Sequence, residues 1–446
     1  MPEPQFRPSD VALPDPTLSG IEHIVVVMME NRSFDHLLGW LPNANGKQAG
    51  LLYLDNNGKA QPTHRLSYYV GCSHPDPDHS YAGGRSEYDC GEMDGWLRTN
   101  SNDSYCIGYY AEADVPLYAA LARNFTTLDH YFPSILSSTF PNRVFQHAAQ
   151  TDRLSNTLEL CTLPTIWDRL QAAGVSCRYY YSNVPFLALW GLKYLGISSL
   201  YQRFKADAAS GALPAVSFLD PWFTILDDGL GNDDHPHADP RKGEIFLRDV
   251  VTTLASSPQW SNTVLVINRD EWGGFFDHVV PPRVLAPNTT DTDLVDGKAL
   301  LGCRVPTIIV SPFARGNPAN PRTNSLLYDH TSVLKLIEWR WGLAPLTTRD
   351  ASDEVANLAR ALNFAAQDPS LPDLPVIPEP PLTPCTLDDI VESLATGETV
   401  VNTSAALAVA QAKNAKGEDN EAYDFYLLMN SEHMQGWTVP QNPKAK

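Results

Sequence analysis

Three short, nearly uninterrupted apolar runs constrain the fold of this chain more than any other feature. His23-Ile-Val-Val-Val-Met-Met29, Thr263-Val-Leu-Val-Ile267 and Val305 to Val310 lack the polar alternation of a strand with one wet face, so they read as strands covered on both sides. Val175 to Tyr181 reads as a further strand. Helical stripes separate these runs. One spans Asp114 to Asn124, with Asp114 placed to cap it and Pro116 in its first turn; a second spans Thr165 to Ala173 and stops at Gly174. Leu247, Val250, Val251 and Leu254 form a third stripe, and Ser332 to Trp341 a fourth. Strands alternating with helices predict an α/β fold, a mostly parallel central sheet sandwiched between helices. Composition divides the chain into a main domain over 1–367, a proline-rich extended linker over 368–385 and a C-terminal appendage over 386–446. In that appendage Leu387, Ile390, Val391 and Leu394 suggest a helix.

Charge and composition exclude several functions. With 52 acidic and 32 basic residues the net charge is −20, which argues against nucleic acid and against tight docking on anionic membranes. Zwitterionic lipid surfaces and cationic ligand groups stay open. No apolar run reaches the roughly 18 residues of a membrane span, and residues 1–8 lack the basic-then-apolar order of a signal peptide. A soluble chain is therefore expected, cytoplasmic or secreted after removal of a leader. The seven cysteines include no Cys-x-x-Cys pair, against zinc-finger and thioredoxin readings. Cys72, Cys90 and Cys106 share one irregular region in which a disulfide can form, and the other thiols read as buried.

The chemistry is carried where strands end. In sheets of this kind ligands bind beyond the carboxyl ends of the strands. The first strand runs into Glu30-Asn31-Arg32-Ser33, where an ionised Glu30 against a buried strand needs a charge partner or a metal. Another leads to Asp270-Glu271, followed by Trp272-Gly273-Gly274: two oxygen ligands with backbone room for close approach, unless Arg269 neutralises one of the acids. Pro133 to Arg143 brings hydroxyls before Pro-Asn-Arg. Taken alone, Thr139 reads as a helix cap, but the same placement aims its hydroxyl at an anion, with Arg143 near to bind phosphate. Asp78-His79, Asn232-Asp-Asp-His-Pro-His237 and Asp329-His330 are histidine-bearing loops suited to phosphate or metal chemistry, and His278 ends the Asp270 block. Two long loops, Leu41 to Tyr109 and Asp220 to Lys242, are of the kind that covers sites. Aromatics near the motifs, among them Tyr110, Tyr179, Phe186, Trp190, Trp222 and Phe223, suit a quaternary ammonium group if exposed and are core otherwise, and Pro185 to Trp190 reads as a run able to meet acyl chains.

Together, Glu30-Asn-Arg-Ser-Phe-Asp-His-Leu-Leu-Gly39, Ser138-Thr-Phe-Pro-Asn-Arg143, Asn232-Asp-Asp-His-Pro236 and Asp270-Glu-Trp-Gly-Gly-Phe-Phe-Asp-His278 resemble the signature blocks of the phosphoesterase family. That family holds bacterial phosphatidylcholine-type phospholipases C, plant non-specific phospholipases C and related bacterial acid phosphatases. The resemblance runs from about Ile21 to about Leu343. It implies an alkaline-phosphatase-like fold and a divalent metal ion held by Glu30, Asn31, Asp270 and Glu271, with Thr139 as metal-touching nucleophile. The hard oxygen donors favour calcium, magnesium or manganese. It also implies that His79 and His235 surround the phosphate and leaving group, with His278 in the catalytic set. This chain has Asn268-Arg269 where family members usually have Thr-Tyr, a change that alters the charge beside the ligands. The expected activity is that of a phospholipase C acting on phospholipids such as phosphatidylcholine through a phosphothreonine, with transient contact with zwitterionic membrane. The alternatives are an acid phosphatase acting on small phosphate monoesters and a weakly catalytic phosphate- or lipid-binding relative.

Overall fold

The computed structural model describes residues 12–99, 102–225, 229–382 and 421–440. Its centre is an eight-stranded sheet of β1 (His23–Met29), β2 (Thr126–Leu128), β3 (Cys177–Tyr181), β4 (Ser198–Leu200), β5 (Val216–Leu219), β6 (Thr263–Arg269), β7 (Thr307–Val310) and β8 (Arg322–Asn324), in the order β8-β2-β7-β6-β1-β5-β3-β4. β7 runs antiparallel to both its neighbours, and the remaining pairs are parallel. This is the mostly parallel central sheet expected from the sequence.

The apolar runs have the lengths of buried strands because both of their faces are covered. On β1, Ile24 and Val26 pack with α2 (Thr139–Ala148), α3 (Ile166–Ala172) and α6 (His330–Trp341). Val25, Val27 and Met29 pack on the other side with α1 (Pro116–Asn124), α4 (Tyr201–Ser210) and α5 (Pro240–Ala255). All seven residues of β1 and of β6 are buried.

Helix starts differ from the sequence reading where side chains found other partners. α1 begins at Pro116 with Val115 as its cap residue. Asp114 instead accepts the Ala111 N–H at 2.8 Å and pairs with Arg65. The open end of α1 is satisfied from α5, where Glu244 Oε1 accepts the N–H groups of Leu117 and Tyr118 at 2.6 and 3.2 Å. α6 starts two residues earlier than expected because Asp329 caps it, accepting the Thr331 N–H at 2.8 Å. Cys90 and Cys106 are free thiols while Cys72 is disulfide-bonded, so no bridge joins Cys72 to either of them.

Residues 368–382 carry no helix or strand and lie on the body: Trp260 donates to the Pro369 carbonyl at 2.7 Å, and Ile377 joins the core beneath the sheet. From the region expected as an appendage, α7 (Glu421–Met429) inserts Phe425 and Leu428 into the other core. Phe425 stacks on Phe223 with ring centroids 4.0 Å apart. The helix suggested by Leu387 to Leu394 lies outside the described residues. Among the described residues, no helix is long and apolar enough to cross a membrane.

Burial pushes the Glu244 carboxyl up from 4.5 to about 8, against the pull of the Tyr118 and Leu117 N–H groups. The folded state therefore holds a proton that the unfolded chain has released, and stability falls as pH rises from 4.5 to about 8, by at most about 1.4 kcal/mol per pH unit from this group. Glu244→Gln should flatten that part of the stability–pH curve, measured by urea unfolding across the window; an unchanged slope refutes the assignment. Phe425→Ala should cost about 3–5 kcal/mol with an unchanged m-value and one transition, as for any core residue of a single cooperative unit. A loss below about 1 kcal/mol, or a second transition, would show that α7 is a separate unit.

Candidate active site

The site is assembled at the carboxyl edge of the sheet. β1 and β6 are in register with Met29 opposite Arg269, so Glu30 and Asp270 leave the sheet side by side, and Asp270 N donates to Met29 O at 3.3 Å. α2 points its first turn at them. Ser138 is the cap residue and Thr139 the first helical one, which corrects the reading of Thr139 as the cap. Asn142 folds the preceding loop back onto the helix, its Nδ2 donating to the carbonyls of Ile135, Ser137 and Ser138 at 3.1, 2.8 and 3.1 Å. The Phe140 N–H is taken by Asn156 Oδ1 at 2.8 Å. The Thr139 hydroxyl is thereby released from capping, and its Oγ1 accepts a hydrogen bond from Asn31 Nδ2 at 3.0 Å. The same Asn31 amide donates to Glu271 Oε1. Glu30, Asn31, Thr139, Asp270 and Glu271 are all fully buried.

Arg143, one turn along α2, holds the acidic side together. Its Nε donates to Asp270 Oδ2 at 3.0 Å and its Nη1 to Asp220 Oδ1 at 3.3 Å, while Nη2 reaches Glu30 Oε1 and the carbonyls of Met28 and Met29. Sequence reasoning gave Arg143 to phosphate; the structure gives it to carboxylates. One guanidinium shared among Glu30, Asp220 and Asp270 leaves excess negative charge in a dry site. Burial pushes the Asp220 carboxyl up to about 6, and the attraction of Arg143 only partly opposes this. Glu271 Oε2 adds a contact with the Gly273 N–H at 2.6 Å. Buried oxygen donors with surplus negative charge fit a divalent cation of the hard class. The turn after Glu271 needs its glycines: a Cβ on Gly273, at φ +62°, would lie 2.4 Å from the Asn31 carbonyl oxygen. One on Gly274, at φ +67°, would lie 2.7 Å from Pro77 Cβ.

Asp35, Asp277 and His278 form a second group whose ligand atoms lie within 4.8 Å of one another. Arg304 already supplies the positive charge there, pairing with Asp35 at 3.1 Å and with Asp277 at 3.0 Å. It also donates to the carbonyls of Asn45 and Asp129 at 2.7 and 2.8 Å. His278 is tied into this group, its Nδ1 2.5 Å from Asp35 Oδ2 and its Nε2 3.1 Å from Asn45 Oδ1. These contacts place His278 in the Arg304 network and not with Thr139.

The other histidines come in on loops docked at the same sheet edge. Asp233 O accepts the Glu30 N–H at 2.7 Å, which seats the 232–237 loop beside the first strand end. Arg32 donates to the carbonyls of Asp234 and His235 at 2.7 and 3.0 Å, and Arg269 pairs with Asp234 at 2.6 Å. Arg269 thus neutralises neither Asp270 nor Glu271, and its charge is absorbed by Asp234. His235 lies 3.3 Å from Asp76 Oδ2, and His79 Nδ1 donates to the Pro77 carbonyl at 2.7 Å. Trp272, Glu87 and Asn102 link the Glu271 turn to the His79 loop: Trp272 Nε1 and Asn102 Nδ2 donate to Glu87 at 2.8 and 2.9 Å, and Asn102 Oδ1 accepts the Asp78 N–H at 2.6 Å. His330 donates to the Asp270 carbonyl at 2.7 Å. His237 is buried and pushed down to about 4 by that burial.

Sequence reasoning missed Asp220, Asp76, Asn142 and Asn156. Asp220 was readable, since it ends β5 as Glu30 ends β1; Asp76, between two prolines of a long loop, carried no periodic signal. The aromatics are mostly core. Tyr110, Tyr179, Phe186, Trp190 and Phe223 are buried, and the Pro185 to Trp190 run expected to face acyl chains is a 3₁₀ turn inside the body.

A profile of the Phosphoesterase family matches residues 21–344. Non-specific phospholipase C6 of Arabidopsis thaliana is 35% identical over 370 residues, covering 75% of this chain and 71% of that protein. Phospholipase C B of Mycobacterium tuberculosis is 32% identical over 431 residues, covering 80% of each. A solved structure described as a protein in the alkaline phosphatase superfamily, from Vibrio parahaemolyticus, aligns over 90% of this chain and 89% of that one, at 9% identity and a TM-score of 0.35. With its signature blocks meeting at one sheet edge and the profile spanning most of its length, this chain belongs to the phosphoesterase family.

Proposed function

We propose that the chain is a metal-dependent phospholipase C that hydrolyses glycerophospholipids such as phosphatidylcholine to diacylglycerol and a phosphorylated head group, with Thr139 as nucleophile. The observation that carries this reading is the Asn31 amide, which bridges the Thr139 hydroxyl and Glu271 within a buried carboxylate group. It puts an uncapped alcohol among oxygen donors, at the start of a helix whose dipole favours a phosphate. Relatives named phospholipase C, similar over most of the chain, support the diester substrate.

Glu30, Asn31, Asp270 and Glu271 would hold the divalent cation together with Thr139 Oγ1. When bound, that ion lowers the pKa of the hydroxyl and offsets charge on the phosphoryl oxygens. The residues of the chain do the rest. Asn31 orients Thr139, Asn142 fixes the turn that presents it, and Arg143 pairs with Glu30 and Asp270 and holds them in place. Thr139 Oγ, its proton released to solvent, attacks phosphorus, the bond to the glycerol oxygen breaks, and a histidine protonates that oxygen; the histidine then takes a proton from the water that attacks phosphorus as the bond to Thr139 Oγ breaks, which returns the Thr139 alkoxide. Substrate enters from a zwitterionic membrane surface, which the acidic protein does not repel as it would an anionic one.

Thr139→Ala should lower release of phosphocholine from phosphatidylcholine vesicles by roughly a thousandfold or more while leaving thermal unfolding near that of the parent. A chelator should have a comparable effect, reversed by one of calcium, magnesium or manganese. Normal turnover by Thr139→Ala refutes the nucleophile. Turnover of p-nitrophenyl phosphate but not of phosphatidylcholine moves the assignment to a phosphatase.

A further inference from the structure

A cavity of about 730 Å³ opens where α4 and α5 meet Trp222, Leu230, Asn232 and the segment 376–382. That volume is in the range of about 300–1,000 Å³ typical of small-molecule sites. None of Glu30, Asn31, Thr139, Asp270 and Glu271 lines it, so it is a place apart from the acidic strand ends. Its wall mixes apolar and cationic groups. Ile245, Arg248, Asp249 and Thr252 are spaced by three, four and seven residues and so share one face of α5. Val376 and Leu382 are apolar yet 76% and 43% exposed, and Ile245 and Leu230 are half-buried. An apolar chain in the cavity would remove these groups from water.

The charges of the wall are not equivalent. Lys205 pairs with Asp249 at 2.8 Å, and Asp249 also accepts from the Tyr201 hydroxyl at 2.9 Å. Lys242 donates to the Gly229 carbonyl, and Glu379 stands exposed at the rim. The Arg248 side chain makes no hydrogen bond or ion pair among the described residues, and its Nε is shielded from water without an acceptor. The Trp222 indole Nε1 is shielded in the same way, again without an acceptor among the described residues. Buried donors in that state are costly, and an oxyanion supplies what they lack. In a chain of net charge −20, an unpaired guanidinium is what draws an anion to one place on the surface.

We propose that this cavity binds a single-chain amphiphile with a carboxylate head, a long-chain fatty acid. The head sits on the Arg248 guanidinium and the Trp222 indole N–H, one carboxylate oxygen to each, and the chain lies against Ile245, Val376 and Leu382. A cationic head would meet Arg248 as a like charge, and a doubly charged phosphate head would bring one charge more than the unpaired guanidinium offsets. Binding here needs no turnover at Thr139.

The test is calorimetric titration of the full chain with laurate, below its micellar concentration and at a pH where the carboxylate is ionised. One saturable site is expected, with affinity rising about fourfold for each methylene buried between octanoate and laurate. Arg248→Gln should weaken laurate by about tenfold or more and change dodecanol binding by less than about twofold, and Trp222→Phe, which keeps a ring, should weaken laurate by about threefold. Should Arg248→Gln fail to fold, Val376→Asn alters an exposed position and should weaken laurate and dodecanol alike, by about threefold. Thr139→Ala should bind laurate as the parent does; a loss there places the ligand at the strand ends and overturns the site. No saturable binding of laurate, equal affinity for octanoate and laurate, or an unchanged affinity in Arg248→Gln also overturns it. Tighter binding of dodecyl phosphate, inorganic phosphate or dodecyltrimethylammonium than of laurate overturns the carboxylate head.

Discussion

The guanidinium of Arg143 is the interaction on which the rest of the site depends. Strands β1, β5 and β6 each end in a carboxylate, Glu30, Asp220 and Asp270, and Arg143 meets all three from the first turns of α2. Without a shared cation these ends would repel, since unpaired charge buried away from water is destabilising by several kcal/mol. With it, the helix that carries Thr139 is drawn to the strand ends, and the hydroxyl comes within reach of Asn31. Arg143 is in turn enclosed by aromatic rings, its guanidinium 4.7 Å from the centre of Phe223. One residue therefore fixes a helix position, an electrostatic balance and the placement of the Thr139 hydroxyl.

Two further buried arginines do for the loops what Arg143 does for the sheet edge. Long irregular segments lack ladders to satisfy their polar groups, and such groups must be paired when buried. Arg32 satisfies carbonyls of Asp234 and His235, and Arg304 those of Asn45 and Asp129, while also joining Asp35 to Asp277. Arg269 completes the first of these by pairing with Asp234, whose carboxylate also accepts from the Tyr118 hydroxyl on α1. Arg269, beside the Asp270-Glu271 pair, thus braces the histidine loop.

What could be read from the sequence follows the same division. The strands were legible because covering both faces demands uninterrupted apolar runs, and the acids at their ends were legible because a charge abutting such a run needs a reason. The α2 start was harder. Thr139 and Ser138 are equally good cap residues, and what settles Thr139 as the first helical residue is Asn142, whose three carbonyl contacts depend on loop geometry that spacing does not encode. The partners of Arg143 and Arg269 were not legible either: Arg269 adjoins two acids in sequence and pairs with neither, Arg143 has no acid close to it in sequence, and the winning pairs are decided by which loop docks where. Likewise His278, adjacent to Asp277 and close in sequence to Glu271, is carried into the Arg304 group because Asp35 accepts both its backbone N–H and its Nδ1.

The C-terminal segment shows how far such long-range decisions reach. Asn156 takes the Phe140 N–H with one side of its amide and gives the other to Asp424 at 3.1 Å. Phe425, the next residue, stacks on Phe223, the ring that flanks Arg143. The peptide unit that follows Thr139 and the guanidinium that binds the acidic strand ends are therefore both buttressed by a helix nearly three hundred residues further along the chain. A segment whose composition reads as an appendage can be integral when a proline-rich stretch is long enough to let it return, because closing a longer loop adds little entropy and the buried aromatic stack more than offsets it.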